Sequence, residues 1–337
     1  MFPLPIPHRG QRARVTGLSG SGDALAIARL AAAHKPLAVF TATAADAQRL
    51  IGELKYFAPS LQAYLLPDWE TLPYDIFSPH QDLISERLAT LYQVSHRAFD
   101  VLLVPVTTAL YRLPPSEFLA AHSFFLRQGE VIDPDSLRKQ LTLAGYSHVS
   151  QVVSPGEYSF RGGLIDLFPM GSALPYRIDL MDNEVETIRT FDVDTQRSIY
   201  KVKDVRLLPA REFPTDEEAR TRFRSNFREK FEGDPSKRQL YKDVSNGTFP
   251  AGIEYYLPLF FERTATITDY LPEDSVLCLH GGIANAIDGF WRDTRSRYEL
   301  MRGDPDRPLL PPAELFLLPD QLFGALKSFA RVELVSP

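Results

Sequence analysis

Gly17-Leu18-Ser19-Gly20-Ser21-Gly22-Asp23-Ala24 is the stretch whose residue types and spacing come nearest to catalytic machinery. A phosphate-binding loop reads G-x-x-x-x-G-K-S/T: its backbone amides cradle phosphates, its Lys reaches the β- and γ-phosphates, and its hydroxyl holds Mg²⁺. Gly17 and Gly22 keep that spacing, but Asp23 stands where the Lys belongs and Ala24 where the hydroxyl belongs. A helix starting here offers unpaired N–H groups and roughly half a positive charge to an anion. The Asp23 carboxylate competes for that helix end. It would repel a phosphate oxygen about 4 Å away by ~1 kcal/mol in water and ~4 kcal/mol at a partly buried site. By spacing alone the stretch is either a nucleotide loop that has lost its grip or a glycine-rich turn of other origin.

A nucleotide-hydrolysing site also needs a strand ending in an acid that holds Mg²⁺. The best-placed strand, Val276-Leu277-Cys278-Leu279, runs into His280-Gly281 and bears no carboxylate at its tip. Other chemistry is scarce. The seven His are scattered with no H-E-x-x-H or H-x-x-x-H pair, which speaks against a metal site. The single Cys278 excludes an internal disulfide and a thiolate zinc site, and fits a reducing cytoplasm. No G-x-S-x-G elbow occurs. Asp192 and Asp194 lie in a turn-like context and read as solvated turn residues rather than a catalytic pair.

Arginines on short β-type runs form the remaining candidate surface. Arg161 follows Glu157-Tyr158-Ser159-Phe160, Arg177 lies in Tyr176-Arg177-Ile178-Asp179, and Arg189 ends Val185-Glu186-Thr187-Ile188. Strand alternation puts Arg177 and Asp179 on one face, opposite Tyr176 and Ile178. Beside an apolar residue such as Met181 these arginines suit a binding hot spot, because Arg pairs bidentately with carboxylates. The competing reading is a set of solvated ion pairs worth at most ~1 kcal/mol each. Arg220, Arg222, Arg224, Arg228 and Lys230 are interleaved with Glu217, Glu218, Glu229 and Glu232, which reads as a solvated helix and not a nucleic-acid stripe.

The elements that must position these residues alternate in the first third. Residues 24–34, 44–57 and 83–97 read as helices, and 37–40, 63–66 and 101–106 as buried strands, the order of parallel β-α units. Ligands of such sheets sit at the carboxyl ends of strands, where the loop at Gly17 falls. After a strand at 123–127 and a helix at 135–144, capped at Asp133 or Asp135 and closed by Gly145, the chain turns strand-rich. Strands are expected at 149–153, 157–160, 164–168, 176–181, 185–191 and 202–208, with a hairpin at Asp182-Asn183. Residues 217–231 and 283–301 read as helices, 275–280 as a strand, and 314–333 as strand–helix–strand. The expected division is 1–119, 120–209 and 210–337, with the chain a fragment of something longer. At 337 residues, 44% hydrophobic, 24% charged and net charge −6, it is an ordinary globular chain without a nucleic-acid-coating surface. No apolar run approaches the ~20 residues that cross a bilayer, and no signal core is seen at the start.

Longer strings carry a resemblance. Asp68-Trp69-Glu70-Thr71-Leu72-Pro73-Tyr74-Asp75 continues to Phe77-Ser78-Pro79-His80-Gln81-Asp82 and Ser85-Glu86-Arg87-Leu88. Asp166-Leu167-Phe168-Pro169-Met170-Gly171, Phe191-Asp192-Val193-Asp194-Thr195-Gln196-Arg197, Gly252-Ile253-Glu254-Tyr255-Tyr256 and Pro258-Leu259-Phe260-Phe261 follow. Together they resemble, over essentially the whole chain, the N-terminal region of the bacterial transcription-repair coupling factors, the Mfd family, which is similar to the excision-repair protein UvrB. The resemblance implies an α/β fold: degenerate P-loop (RecA/helicase-like) parallel-sheet domains at 1–119 and 210–337, and an inserted, mostly antiparallel UvrA-binding domain at 120–209. It implies a cytoplasmic module of transcription-coupled nucleotide excision repair that recruits UvrA without hydrolysing nucleotide. ATP, Mg²⁺, RNA polymerase and DNA then belong to C-terminal parts of the parent, which also mask the UvrA-facing surface. Arg161 and Arg177 match the family's arginines on that surface. Met181 occupies a place that is often aromatic, and Asp23, Ala24, His280 and Gly281 depart from the UvrB nucleotide motifs. The stretch from Pro67 to Arg87 is too short for UvrB's tyrosine-rich hairpin, so damage recognition is not expected. The rival readings are an ATP-hydrolysing DNA-remodelling enzyme with an atypical phosphate loop, and direct DNA binding by a local basic patch.

Overall fold

The computed structural model describes residues 4–335. Fourteen strands follow in chain order: β1 (Arg12–Val15), β2 (Leu37–Thr41), β3 (Ala63–Leu65), β4 (Val101–Pro105), β5 (Phe124–Arg127), β6 (Ser147–His148), β7 (Glu157–Arg161), β8 (Leu164–Leu167), β9 (Tyr176–Met181), β10 (Glu184–Phe191), β11 (Ser198–Val202), β12 (Asp204–Leu207), β13 (Val276–His280) and β14 (Ala330–Leu334). The fold is mixed α/β and divides into two compact units. The first holds residues up to 76, 90–113 and those from 263; the second holds 77–89 and 114–262.

In the first unit six parallel strands lie in the order β1-β14-β13-β2-β4-β3. β2 and β4 are buried at every position, as continuous apolar runs are when a parallel sheet is covered on both faces. Ile27, Leu30 and Ala31 of the helix Gly22–Ala33 and Leu50 and Leu54 of the helix Ala44–Phe57 pack with Val39, Leu103, Cys278 and Val332. Thr43 starts the second of these helices by accepting the Asp46 amide at 3.0 Å. The Cys278 thiol is fully buried, and burial pushes its pKa up to about 12, so it is a core side chain and not a nucleophile. β13 and β14 come from the last quarter of the chain yet lie between β1 and β2, so both ends of the sequence share one sheet.

In the second unit a six-stranded sheet runs β11-β10-β9-β8-β7-β6, antiparallel except for the β6–β7 pair, and β12 and β5 form a separate ribbon. Its inner face carries Tyr158, Ile165, Leu167, Ile178 and Ile188, all buried. The hairpin expected at Asp182-Asn183 joins β9 to β10, with φ of 50° and 67°, the left-handed geometry that two-residue hairpin turns demand. The helix Pro134–Leu143 is capped by the Asp133 side chain, which accepts from the Ser136 amide. Phe213, Phe223 and Phe260 stack in the helical part, with ring centroids of Phe213 and Phe260 4.4 Å apart. Arg87 and Glu212 form a fully buried ion pair at 2.7 Å.

Several local expectations change. Residues 149–153 form no strand; the pairing falls instead on Ser147 and His148, because Glu157 turns back to accept the Val153 and Ser154 amides. The run 202–208 holds β12 and only the last residue of β11, which starts earlier at Ser198 and belongs to a different sheet. The first piece of 314–333 is a short helix, Pro312–Leu315, started by a proline at its first position, and not a strand. β1 carried no apolar signal because it is a half-exposed edge strand.

Candidate partner-binding face and phosphate-type loop

The loop after β1 puts Gly17 and Gly20 at φ of 75° and 55°, and the following helix begins at Gly22. Ser21, the residue before it, makes no side-chain cap. Asp23 fills the role instead: its carboxylate accepts the Ala24 amide at 2.7 Å. The same carboxylate takes two hydrogen bonds from Arg49, at 2.6 and 3.2 Å, and lies 2.8 Å from His280 Nε2. Arg49 also pairs with Glu53 at 3.0 Å. Burial pushes the Asp23 carboxyl up, but Arg49, His280 and the Ala24 amide outweigh it and hold the group at about 2.

Two residues distant in sequence thus meet: Asp23, after Gly22, and His280, at the tip of β13, bind each other, and Arg49 closes the group. Gly281 turns the chain after His280 at φ of 79°, where a Cβ would stand 3.2 Å from Ala42. Ala24 is fully buried and offers no oxygen to a cation. Arg49 has no sequence signal: it is one polar residue on an amphipathic helix, 26 positions from its partner. Among the described residues no group of three or more His, Cys, Asp or Glu side chains is placed to hold a metal ion.

The arginines of the second unit assemble on the outer face of its sheet. Register pairs Asp166 with Arg177, Arg177 with Arg189, and Arg189 with Lys201, so these side chains share one face across four strands. Asp166 is buried to 1% exposure and is the acceptor at the centre. Arg177 donates to it bidentately, from Nε at 2.7 Å and Nη2 at 3.0 Å, and Arg161 donates from Nη2 at 2.6 Å. Arg177 also donates to the Gln196 carbonyl and lies 4.6 Å over the Phe191 ring. Arg161 stays half exposed, whereas Arg177 is largely covered. Arg189 pairs with Asp179 at 3.1 Å, and Thr187 donates to the same carboxylate. Met181 is 64% exposed at the end of β9.

These pairs are not all solvated. Two cations on one buried carboxylate leave a net positive charge, and Arg161 presents it outward. Asp166 is the functional candidate that residue reading missed; its signal was a lone carboxylate between the apolar residues Ile165 and Leu167 on a strand. Asp192 accepts the amides of Asp194 and Thr195 at 3.1 and 2.8 Å, the work of a turn residue. Three arginines of the helix Glu217–Lys230 are matched by its own acids, with Arg224 and Arg220 on Glu217 and Arg222 on Glu218, and Arg228 donates to the Tyr241 hydroxyl.

Comparison with known proteins adds two findings. A family profile described as the UvrB interaction domain matches residues 124–213, which include Arg161, Asp166, Arg177, Met181 and Arg189. The chain is 44% identical over 335 residues to the transcription-repair-coupling factor of Escherichia coli (strain K12), covering 99% of this chain and 29% of that protein. It is 43% identical to that of Haemophilus influenzae over 98% of this chain and 29% of the relative. It is 29% identical to that of Bacillus subtilis over 81% and 24%. The chain therefore spans about three-tenths of the length of the Escherichia coli and Haemophilus influenzae relatives.

Proposed function

Because the chain belongs to the transcription-repair-coupling factor family, we propose that it is the UvrA-recruiting module of such a factor, acting through the outer face of β7 to β10. The observation that carries this reading is the Arg161–Asp166–Arg177 clamp, an exposed cation fixed by a buried acid inside the matched domain. Preorganised arginines beside an exposed apolar side chain lose little freedom on binding, which favours a docking hot spot. Met181 supplies the apolar contact and Arg189 the flank. ATP-driven translocation, RNA polymerase contact, DNA contact and masking of this face belong, in this reading, to parts of the parent outside the chain, in the cytoplasm. Among the described residues no helix is long and apolar enough to cross a membrane.

The parallel sheet, in this reading, is a motor fold of the P-loop, helicase-like kind that no longer hydrolyses nucleotide. The sheet order with a helix leaving β1, and the Asp23–Arg49–His280 group at its N-terminus, support it. Calorimetric titration of the chain with ATP and Mg²⁺ is expected to give no binding heat at about 1 mM nucleotide; a saturable heat lost in Asp23→Ala would instead establish a working site.

The docking face is tested with Arg161→Glu combined with Met181→Asp, two exposed positions whose change leaves Arg177 on Asp166. UvrA capture is expected to fall at least about tenfold, ~1.4 kcal/mol, with unchanged circular dichroism. Undiminished capture removes this face from the interaction.

A further inference from the structure

A cavity of about 520 Å³ opens in the second unit, and Gly145, Gly156, Ala210, Arg211, Phe249 and Glu254 are among its lining. Arg211 is largely covered, and its guanidinium lies 5.5 Å from the Phe213 ring centre and 5.2 Å from that of Phe249. Among the described residues no hydrogen bond or ion pair engages its N–H groups.

The acids around it have donors of their own. Glu212 is paired with Arg87 at 2.7 Å. Glu157 accepts the amides of Val153 and Ser154, each at 2.9 Å. Glu254 accepts from the Ser78 hydroxyl at 2.7 Å, and burial pushes its carboxyl up toward the neutral form. The cavity thus holds a guanidinium with no protein acceptor within hydrogen-bond distance, set against two aromatic rings with Glu254 as its neighbouring charge, so that its donors are open to an acceptor from solution.

The wall is also kept open. Gly145 sits at φ of 88°, and a Cβ there would stand 3.3 Å from Arg211 Cγ. Gly156 sits at φ of 83°, and a Cβ there would stand 2.7 Å from Gln81 Nε2. A side chain at either glycine would crowd the wall or the stem of Arg211.

We propose that this cavity is an oxyanion site, in which Arg211 presents its planar fork to a carboxylate or phosphate group beside Phe249. The site is separate from the docking face and does not depend on the UvrA reading. Its test is titration of the 337-residue chain with inorganic phosphate and, separately, acetate at constant ionic strength, following the arginine Nε–H resonances by NMR. One resonance, missing from the spectrum of Arg211→Gln, is expected to shift saturably with a half-point in the millimolar range, and the tighter of the two anions identifies the oxyanion preferred. Arg211→Lys keeps the charge but not the fork, so phosphate protection against thermal unfolding should need at least about fivefold more anion; this comparison stands even if Arg211→Gln fails to fold. No saturable shift up to about 50 mM, a shift reproduced by chloride, or equal protection in Arg211→Lys overturns the assignment.

Discussion

Asp23 lies where an anion-binding helix end would need a cation nearby, and three donors converge on it: Arg49, His280 and the Ala24 amide. Sequence alone put a carboxylate at that end; it could not tell whether the charge would stand free or be neutralised. The neutralised form has a pH signature. The carboxyl is held at about 2 against an ordinary 3.8, so the unfolded chain takes up the proton first as pH falls. The stabilisation is complete above about pH 4 and is lost as pH drops toward 2. Because the site is not fully desolvated, its size is about 1 kcal/mol. Asp23→Asn should therefore lower the urea midpoint at pH 7, and the gap from wild type should shrink to about a third by pH 2.5 and close only as pH falls through about 2. A gap of the same size at both pH values would mean that the carboxylate charge contributes nothing.

At the scale of elements, β7, β8 and β9 are joined on their outer face by one buried acid, Asp166 of β8, shared between Arg161 and Arg177. Alternation along each strand was legible, and so was the hairpin at Asp182-Asn183, because both depend on neighbours in sequence. Which residues of different strands stand opposite one another depends on register, and register is set by the whole sheet. The Asp166–Arg177–Arg189 row is a product of that register. Asp166→Asn leaves two guanidinium groups sharing a neutral acceptor and is expected to cost about 2–3 kcal/mol, with a lower Tm and weakened UvrA capture. A conservative change on an exposed strand face without such a clamp costs within about 0.5 kcal/mol; a loss that small would return these pairs to the solvated class.

At the scale of the whole molecule, the first sheet takes its central strand pairings from both ends of the chain, while the second unit is drawn mainly from the middle. A chain cut after residue 275 loses β13 and β14, which leaves β1 without a partner and β2 with only β4. Hydrogen exchange is expected to show protection of residues 37–41 collapsing, while residues 157–191 stay protected and UvrA capture persists. Loss of protection in both regions would mean that the second unit does not hold its structure independently. By itself the sequence determined the parallel β-α order of the first third, the antiparallel run that follows, the glycine-rich loop with Asp23 behind it and the arginines of the candidate face. All of these rest on local propensity, on strand or helix period, or on strings carried by the family. Only the tertiary structure decided that Asp23 meets Arg49 and His280, that Asp166 is buried beneath two arginines, and that Arg211 faces a cavity without an acceptor. Charge pairing acts through space at a few ångströms, and residues 26 or 257 positions apart come within that range only when the chain is folded.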